Sequence, residues 1–240
     1  MKKALRTKIC AYAIALLASI GFATPTLAGS SDFSGIFIAG HAELNVVAID
    51  GSSRTGAGND GSDGANAGRS DNIETTQGTI GGFAPTAGWE IGFNLPLGDT
   101  FFVTVGFADG GGESAAIAKV DDGAPTSGTD VSLHASNPSW WYIAPSISIF
   151  DNSAVYFKIG QAHADLTAIG DVTGGPGNLE GDMWGIGTTS IASNGLFIKT
   201  EAGAIQYDKF SITGIGGDAD RIVEGNPLVG YGHVSIGYKF

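Results

Sequence analysis

The sequence has little of what disulfide cross-linking, helical membrane insertion or nucleic-acid binding requires. Its single cysteine, Cys10, lies within an N-terminal apolar segment, so the remainder of the chain has no thiol for a disulfide. Beyond that segment there is no run of about 18 apolar residues, which excludes a helical membrane protein. Acidic residues outnumber basic residues by 24 to 12. Such an acidic chain is not expected to neutralise nucleic-acid phosphates.

The first 28 residues are typical of a cleaved secretory signal peptide. Four basic residues come first, an apolar core follows over 9–20, and small residues at 26–28 fit cleavage before Gly29. Without that segment the chain keeps eight basic and 24 acidic residues, a net charge of −16. We therefore expect residues 29–240 to be exported as one barrel domain.

The last residues, 228–240, alternate between apolar and polar positions with the period of two that a β-strand requires. One face ends in two aromatic residues, and the other carries His233, Ser235 and Lys239. This pattern is typical of a transmembrane strand with one face toward lipid and the other toward a barrel interior. The positions expected to face outward and to form a C-terminal assembly signal are Val234, Ile236, Tyr238 and Phe240.

Seven further segments alternate in the same way, and the connections between the segments sort by length. Long connections, rich in Gly, Ser, Asp and Asn, fall at about 49–78, 109–130, 168–181 and 210–227, and short turns lie between them. Seven connections predict an all-β, closed, eight-stranded antiparallel up-and-down transmembrane β-barrel with both termini on the short-turn side. The residues expected to face outward include Ile36, Trp89, Val103, Ile147, Ile198 and Ile236.

Two segments fit this pattern less well. In the fifth segment, from Ala154 to about Leu166, the polar residues Gln161 and His163 fall at positions expected to face outward. A β-bulge near Gly160 would restore the alternation. In the fourth, Pro145 has no N–H to donate to a neighbouring strand.

Aromatic residues predict two girdles at the membrane interfaces. The girdle beside the short turns and the terminus comprises Phe93, Phe101, Phe150, Phe157, Phe197, Tyr238 and Phe240. The girdle toward the long connections comprises Phe83, Phe107, Trp140, Trp141, Tyr207 and Phe210.

The chain resembles the small outer-membrane β-barrel superfamily, which contains the opacity-type proteins and the membrane domain of OmpA-like proteins. The resemblance lies in residues 88–99, 154–160 and 196–202 and in the final strand, and it covers nearly all of residues 29–240. It implies a fold rather than an activity. Because the sequence stops at Phe240, we do not expect the peptidoglycan-anchoring domain of the longer relatives.

An eight-stranded barrel is too narrow for an aqueous channel once side chains fill its interior. Charged residues with inward parity are therefore expected to form a polar network of ion pairs, because a buried charge needs a partner. The alternative is a proton or ion path through a hydrated interior. The predicted network comprises His41, Glu43, Glu90, Lys158, Lys199, Glu201, His233 and Lys239.

Two other candidate sites are weaker. His233 and Ser235 resemble the His-Ser pair of outer-membrane lipid A deacylases, but both have inward parity and no acidic partner is evident. Asp60, Asp63 and Asp71 lie in a glycine-rich connection with oxygen ligands for Ca²⁺, but their spacing matches neither an EF-hand nor the nonapeptide calcium repeat. No catalytic, cofactor or metal residue is therefore assigned.

The expected function is that of a non-enzymatic integral protein of the cell outer membrane, with a structural or surface-interaction role through its exposed loops. The alternative is a narrow pore for ions or small solutes, and a lipocalin-like periplasmic binder is a third hypothesis. The expected partners are outer-membrane lipid and, during biogenesis, periplasmic chaperones and the barrel-assembly machinery. The sequence names no extracellular partner.

Overall fold

The computed structural model describes residues 29–55, 75–111, 113–120, 131–150, 152–170, 177–213 and 221–240. These residues form one short 3₁₀ helix, Ser30–Asp32, and ten strands. No helix among them is long and apolar enough to cross a membrane. The strands are β1 Gly35–Thr55, β2 Thr75–Pro96, β3 Phe101–Asp109, β4 Glu113–Val120, β5 Val131–Phe150, β6 Ser153–Ile169, β7 Gly177–Ile191, β8 Leu196–Tyr207, β9 Phe210–Thr213 and β10 Arg221–Lys239.

Eight of the described strands form a closed ring. Each pairs antiparallel with the next in the order β1, β2, β3, β5, β6, β7, β8 and β10, and β10 pairs with β1 to close the ring. β4 pairs with β5 beyond the end of β3, and β9 pairs with β10 beyond the end of β8, so both extend the wall. The prediction of a closed, eight-stranded, up-and-down barrel is confirmed.

The termini and the short connections lie at one end of the barrel, as the sequence predicted. There the amide of Phe240 donates to the carbonyl of Ile36 at 2.9 Å. The strands nevertheless extend into the predicted long connections at 49–78, 109–130, 168–181 and 210–227, and those boundaries were too wide. β1 continues to Thr55, for example, and β7 begins at Gly177. Strand pairing uses backbone N–H and C=O groups and needs no apolar side chains, so it continues where the apolar alternation of the sequence has ended.

Burial alternates along the strands as a filled barrel requires. Ile36, Trp89, Ile147, Ile198 and Ile236 are exposed on the outer wall. Val103, between the buried side chains of Phe102 and Thr104, also has outward parity. All six residues therefore have the outward orientation predicted from the sequence.

The sequence left open whether a β-bulge near Gly160 restores the alternation, and the structure has none at that position. The β6–β7 register is continuous from Ser153 to Leu166, and Gln161 and His163 keep the outward parity. The bulge is in β5, where the register with β6 shifts between Ser136 and Ser139 and Asn137 has a φ of 50°. An Asn-Pro pair favours this site, because Asn tolerates positive φ and Pro138 lacks an N–H.

Pro145 is accommodated without a bulge. It pairs with Val103 of β3, while the β5–β6 partners pass from Ile143 to Ser146. The missing N–H therefore weakens the pairing on one side of the strand only.

Four aromatic residues predicted for the girdles face the interior instead: Trp140, Phe197, Tyr207 and Phe210 are buried. Adjacent residues of a strand point to opposite faces, so Trp140 must point inward when Trp141 is exposed. The interior has an apolar layer at the short-turn end and a larger one at the long-loop end. The first contains Phe33, Phe37, Ala39, Phe102, Ala154, Ile191 and Phe197. The second includes Val47, Leu133, Trp140, Leu166, Met183, Ile205, Tyr207 and Val229.

Candidate functional site

Between the two apolar layers lies a layer of buried charged and hydroxyl side chains, which we call the interior cluster. Along β1 the inward positions run from Phe37 at the short-turn end through His41 and Glu43 to Val47. Along β8 they run from Phe197 through Lys199 and Glu201 to Ile205 and Tyr207. The members of the cluster are His41, Glu43, Glu90, Tyr142, Tyr156, Lys158, Lys199, Glu201, Tyr231, His233 and Ser235.

Seven of the eight residues predicted for the polar network lie in this cluster, and Lys239 does not. Lys239 lies at the short-turn end, where its Nζ donates to the carbonyl of Asp32 at 2.8 Å. That bond ties the last strand to the 3₁₀ helix. The side-chain amide of Asn94 also donates, through Nδ2, to the backbone carbonyl of Phe33 at 2.8 Å.

Glu201 accepts three side-chain hydrogen bonds within the cluster. Its Oε1 accepts from Lys158 Nζ at 2.9 Å and from the Tyr231 hydroxyl at 2.7 Å, and its Oε2 accepts from the Tyr156 hydroxyl at 2.8 Å. Glu201 is 2% exposed, as is Lys158. Two charges so deeply buried are tolerated because each has an oppositely charged partner and the remaining lone pairs are satisfied.

Glu90 organises the other half of the cluster. Its Oε1 accepts hydrogen bonds from Lys199 Nζ and from the Tyr142 hydroxyl. Its Oε2 lies 3.4 Å from the Ser235 hydroxyl. Lys158 Nζ lies 4.3 Å from the centroid of the Tyr142 ring, so a cation–π contact links the two halves.

The third acidic residue, Glu43, supplies the acidic partner that the sequence did not reveal for His233 and Ser235. Its Oε2 lies 3.2 Å from Nδ1 of His233, and Nε2 of His233 lies 2.5 Å from Oγ of Ser235. Acid, imidazole and hydroxyl thus follow one another in the order used by hydrolases. Ser235, however, is fully buried and lines neither of the interior cavities described below.

His41 is the one histidine of the cluster with no hydrogen bond. Its ring packs 4.7 Å from the ring of His233 and 5.4 Å from that of Trp140, measured between centroids. Both its ring nitrogens and Nε1 of Trp140 are buried without a partner among the described residues. Such atoms usually mark a place where packing dominates or a water is bound.

The three tyrosines were missed by the sequence reasoning, although strand parity could have identified them. The ring of each tyrosine packs against a glycine on a neighbouring strand. A Cβ added at Gly106 would lie 2.4 Å from the Tyr142 ring, and one at Gly187 would lie 2.4 Å from the Tyr156 ring. A Cβ at Gly203 would lie 2.5 Å from the Tyr231 hydroxyl. The glycines therefore provide the space that lets the phenols reach the carboxylates.

Two cavities flank the cluster. The loop-side cavity is lined mainly by apolar side chains such as Val47, Ala84 and Leu179, and Glu43 also lines it. The turn-side cavity is lined by residues including Tyr142 and Lys199. The cluster therefore separates two spaces within the barrel.

The described residues contain no group of three or more His, Cys, Asp or Glu side chains that could hold a metal ion. Asp60, Asp63 and Asp71, considered above for Ca²⁺, lie outside the described residues, as does the predicted signal peptide at 1–28.

No protein-family model matches the chain, and no curated protein matches its sequence. Among solved structures it is similar to the outer membrane protein OprG from Pseudomonas aeruginosa, with a TM-score of 0.54 and 14% identity over 90% of this chain and 99% of OprG. Weaker matches are Ail, the attachment invasion locus protein of Yersinia pestis (TM-score 0.32, 10% identity, 81% of this chain and 98% of Ail), and the outer membrane protease OmpT from Escherichia coli (TM-score 0.35, 7% identity, 85% of this chain and 97% of OmpT). The likeness to OprG shows that this chain has the fold of an outer-membrane β-barrel protein. No family model and no curated relative singles out the opacity-type or OmpA-like proteins.

Proposed function

We propose that this protein is a non-enzymatic integral barrel of the outer membrane, closed to the steady flow of ions, with a structural or surface-interaction role through its loops. The observation that carries the proposal is a continuous belt of large apolar side chains on the outer wall. Ile38, Ile91, Val105, Ile143 and Ile159 are each at least 40% exposed within it. An apolar belt around a closed barrel fits a hydrocarbon environment and would be an aggregation hazard in water.

Aromatic side chains border this belt at both ends, which supports the same placement. Toward the short turns the exposed aromatics are Phe93, Phe101, Phe157, Tyr238 and Phe240. Toward the loops they are Phe83, Trp89, Phe107, Trp141 and Trp184. Polar outward-facing side chains occur in this second row, as at Gln161, which pairs with Trp141, and at Asp182, which pairs with Gln161.

The interior cluster supports a barrel without steady conductance. Its ion pairs bridge strands on different sides of the ring, as Lys199 of β8 does with Glu90 of β2. Moving a hydrated ion past these side chains would require breaking buried ion pairs, which is costly. The burial of Ser235 likewise supports a role without hydrolysis.

The two ends of the chain would direct its export and its assembly in the outer membrane. A signal peptide at 1–28 would direct export and be cleaved. Val234, Ile236, Tyr238 and Phe240 face outward on β10 and would present the assembly signal to periplasmic chaperones and the barrel-assembly machinery. The lipid of the outer membrane would then cover the apolar belt, and nucleic acid is not a partner.

The test uses the full protein expressed with its N-terminal segment. We expect it in the outer-membrane fraction, soluble only with detergent and migrating faster in SDS gels before heating than after. In planar bilayers we expect no steady current from the pure protein. A detergent-free soluble monomer would contradict the membrane assignment, whereas a steady K⁺ current would contradict closure and support the narrow pore.

A second candidate function is the uptake or binding of small apolar molecules in the loop-side cavity, favoured by its apolar lining. Ala84 lines this cavity and is buried, while Ala87 on the same strand is exposed on the outer wall. We expect a small uncharged aromatic fluorophore to bind in detergent, and Ala84→Phe to abolish its binding. Ala87→Phe is the matched control, and equal loss in both variants would contradict a site in the cavity.

A further inference from the structure

We propose that the interior cluster contains a proton path that joins the loop-side cavity to the turn-side cavity. The path runs from Glu43 through His233 and Ser235 to Glu90 and ends at Lys199. Each of these groups exchanges protons or relays them, and each lies within reach of the next. The proposal goes beyond the closed barrel argued above, because a wall of bonded side chains that stops hydrated ions still passes protons.

The distances support a continuous relay. Glu43 Oε2 lies 3.2 Å from His233 Nδ1, and His233 Nε2 lies 2.5 Å from Ser235 Oγ. Ser235 Oγ lies 3.4 Å from Glu90 Oε2, and Lys199 Nζ donates to Glu90 Oε1. The Ser235–Glu90 contact is the longest link, so it is the expected bottleneck.

The ends of the relay open on different cavities. Glu43 lines the loop-side cavity, while Lys199 lines the turn-side cavity. His233 and Ser235 are 2% and 0% exposed and line neither. The buried middle of the relay therefore connects two spaces that the cluster otherwise separates.

One transfer balances as follows. Glu43 takes up a proton from the loop-side cavity and passes it to Nδ1 of His233. The Nε2 proton of the same ring moves to Oγ of Ser235, and the Ser235 hydroxyl proton moves to Oε2 of Glu90. Lys199 releases one proton to the turn-side cavity, the protonated Glu90 carboxyl rotates so that its O–H faces Lys199, and Lys199 takes that proton. Each N–H or O–H bond that breaks is matched by one that forms, and one proton crosses. Rotation of the hydroxyl and the ring then resets the path.

Other charged and titratable groups face the relay from neighbouring strands. His41 stacks on His233 from β1, while Tyr142 of β5 bonds to Glu90. Lys158 of β6 and Tyr231 of β10 both bond to Glu201 of β8, which lies in the same cluster. The positive charges of Lys158 and Lys199 oppose the entry of metal cations, so a path along the bonds favours protons over K⁺.

The experiment reconstitutes the full protein in liposomes that contain a pH-sensitive dye, with K⁺ and valinomycin to prevent a membrane potential. After an external pH step we expect the wild-type protein to equilibrate the internal pH faster than protein-free liposomes. Ser235→Ala should return the rate to the protein-free value. Ser146→Ala is the matched control, because Ser146 is also buried but its hydroxyl bonds only to the carbonyl of Ala144 on its own strand.

The remaining outcomes are also decisive. His233→Gln interrupts the relay one step earlier and provides the same test independently of how well Ser235→Ala folds, which heat-dependent gel migration reports. A wild-type rate equal to that of protein-free liposomes, or an unchanged rate in a folded Ser235→Ala or His233→Gln variant, would overturn the proposal. A K⁺ current without valinomycin would instead overturn the closed barrel, so the two failures are distinguishable.

Discussion

Glu43 and His233 are register partners on β1 and β10, at the seam where the barrel closes, and Oε2 of the first lies 3.2 Å from Nδ1 of the second. They are 190 positions apart in the chain. The pairing couples barrel closure to assembly of the interior cluster, because a slip of one residue at the seam would turn every side chain of β10 to the other face. His233 and Ser235 would then face outward in place of Val234 and Ile236.

Removing the central carboxylate should destabilise the barrel strongly. Glu201→Ala leaves Lys158 buried without a charged partner and two tyrosine hydroxyls without an acceptor. We expect a loss of about 3–5 kcal/mol in the free energy of unfolding. Urea titration in detergent, followed by heat-dependent gel migration, measures it. Lys209→Ala removes the exposed partner of the Lys209–Glu224 pair and should cost no more than about 1 kcal/mol. Equal losses in the two variants would contradict a buried, interdependent cluster.

A methyl group beside a cluster tyrosine should also destabilise the barrel. In Gly187→Ala the new Cβ would lie 2.4 Å from the Tyr156 ring and 2.5 Å from the carbonyl of Thr200. We expect an overpacking cost of about 1–3 kcal/mol in the same urea titration. Gly40→Ala is the control, because there the nearest atom is the Gly88 carbonyl at 3.9 Å. If Gly187→Ala were as stable as Gly40→Ala, the glycine–tyrosine packing described above would be wrong.

A charge on the outer wall should be tolerated according to its depth in the membrane. Ile143 pairs with Val105 and Ile159 within the apolar belt, while Gln161 pairs with Trp141 in the aromatic row toward the loops. We expect Ile143→Lys to cost about 2–4 kcal/mol and Gln161→Lys about 0–1 kcal/mol. Unfolding titrations in lipid vesicles measure both costs. Similar costs at the two sites would argue against a membrane around this belt.

Loss of the terminal aromatic side chain should impair assembly. Phe240→Ala removes a ring that is 72% exposed and packs 5.2 Å from the Tyr238 ring. Because little interior packing is lost, we expect a normal fold in detergent refolding but less protein in the outer membrane, as quantified by membrane fractionation. Phe107→Ala changes an exposed aromatic at the opposite end of the belt and serves as the control. Undiminished Phe240→Ala in the outer membrane would remove the assembly-signal role.

How much of the fold the sequence predicts depends on where apolar alternation persists. The eight-strand ring, the side of the termini and the outward parity of residues such as Ile36 and Ile236 follow from alternation and loop length. The strand ends do not, because β1 remains paired as far as Thr55 after its apolar pattern has ended. The bulge at Asn137–Pro138 was also missed, since the parity of β5 was assigned only from Trp141 onward.

The sequence likewise predicts one part of the interior cluster and misses another. Inward parity alone identifies Glu90, Lys158, Lys199 and Glu201 as interior residues. It does not identify their partners. It also assigns Lys239 to the interior cluster, whereas Lys239 lies at the short-turn end of the barrel and bonds to Asp32. Trp140 and Phe197 were predicted to face outward because they are aromatic. The parity of their neighbours indicates that they face inward, as the structure shows.

The sequence by itself determines which face each residue takes and, through the order of long and short connections, that the wall closes with eight strands. Both are local properties, set by the period of two and by the distance between consecutive strands. Only the tertiary structure decides which charges meet. Glu43 reaches His233 and Glu90 reaches Lys199 because the stagger of eight paired strands brings distant positions to one height in the barrel. That stagger is a property of the closed sheet, and no single segment of the sequence contains it.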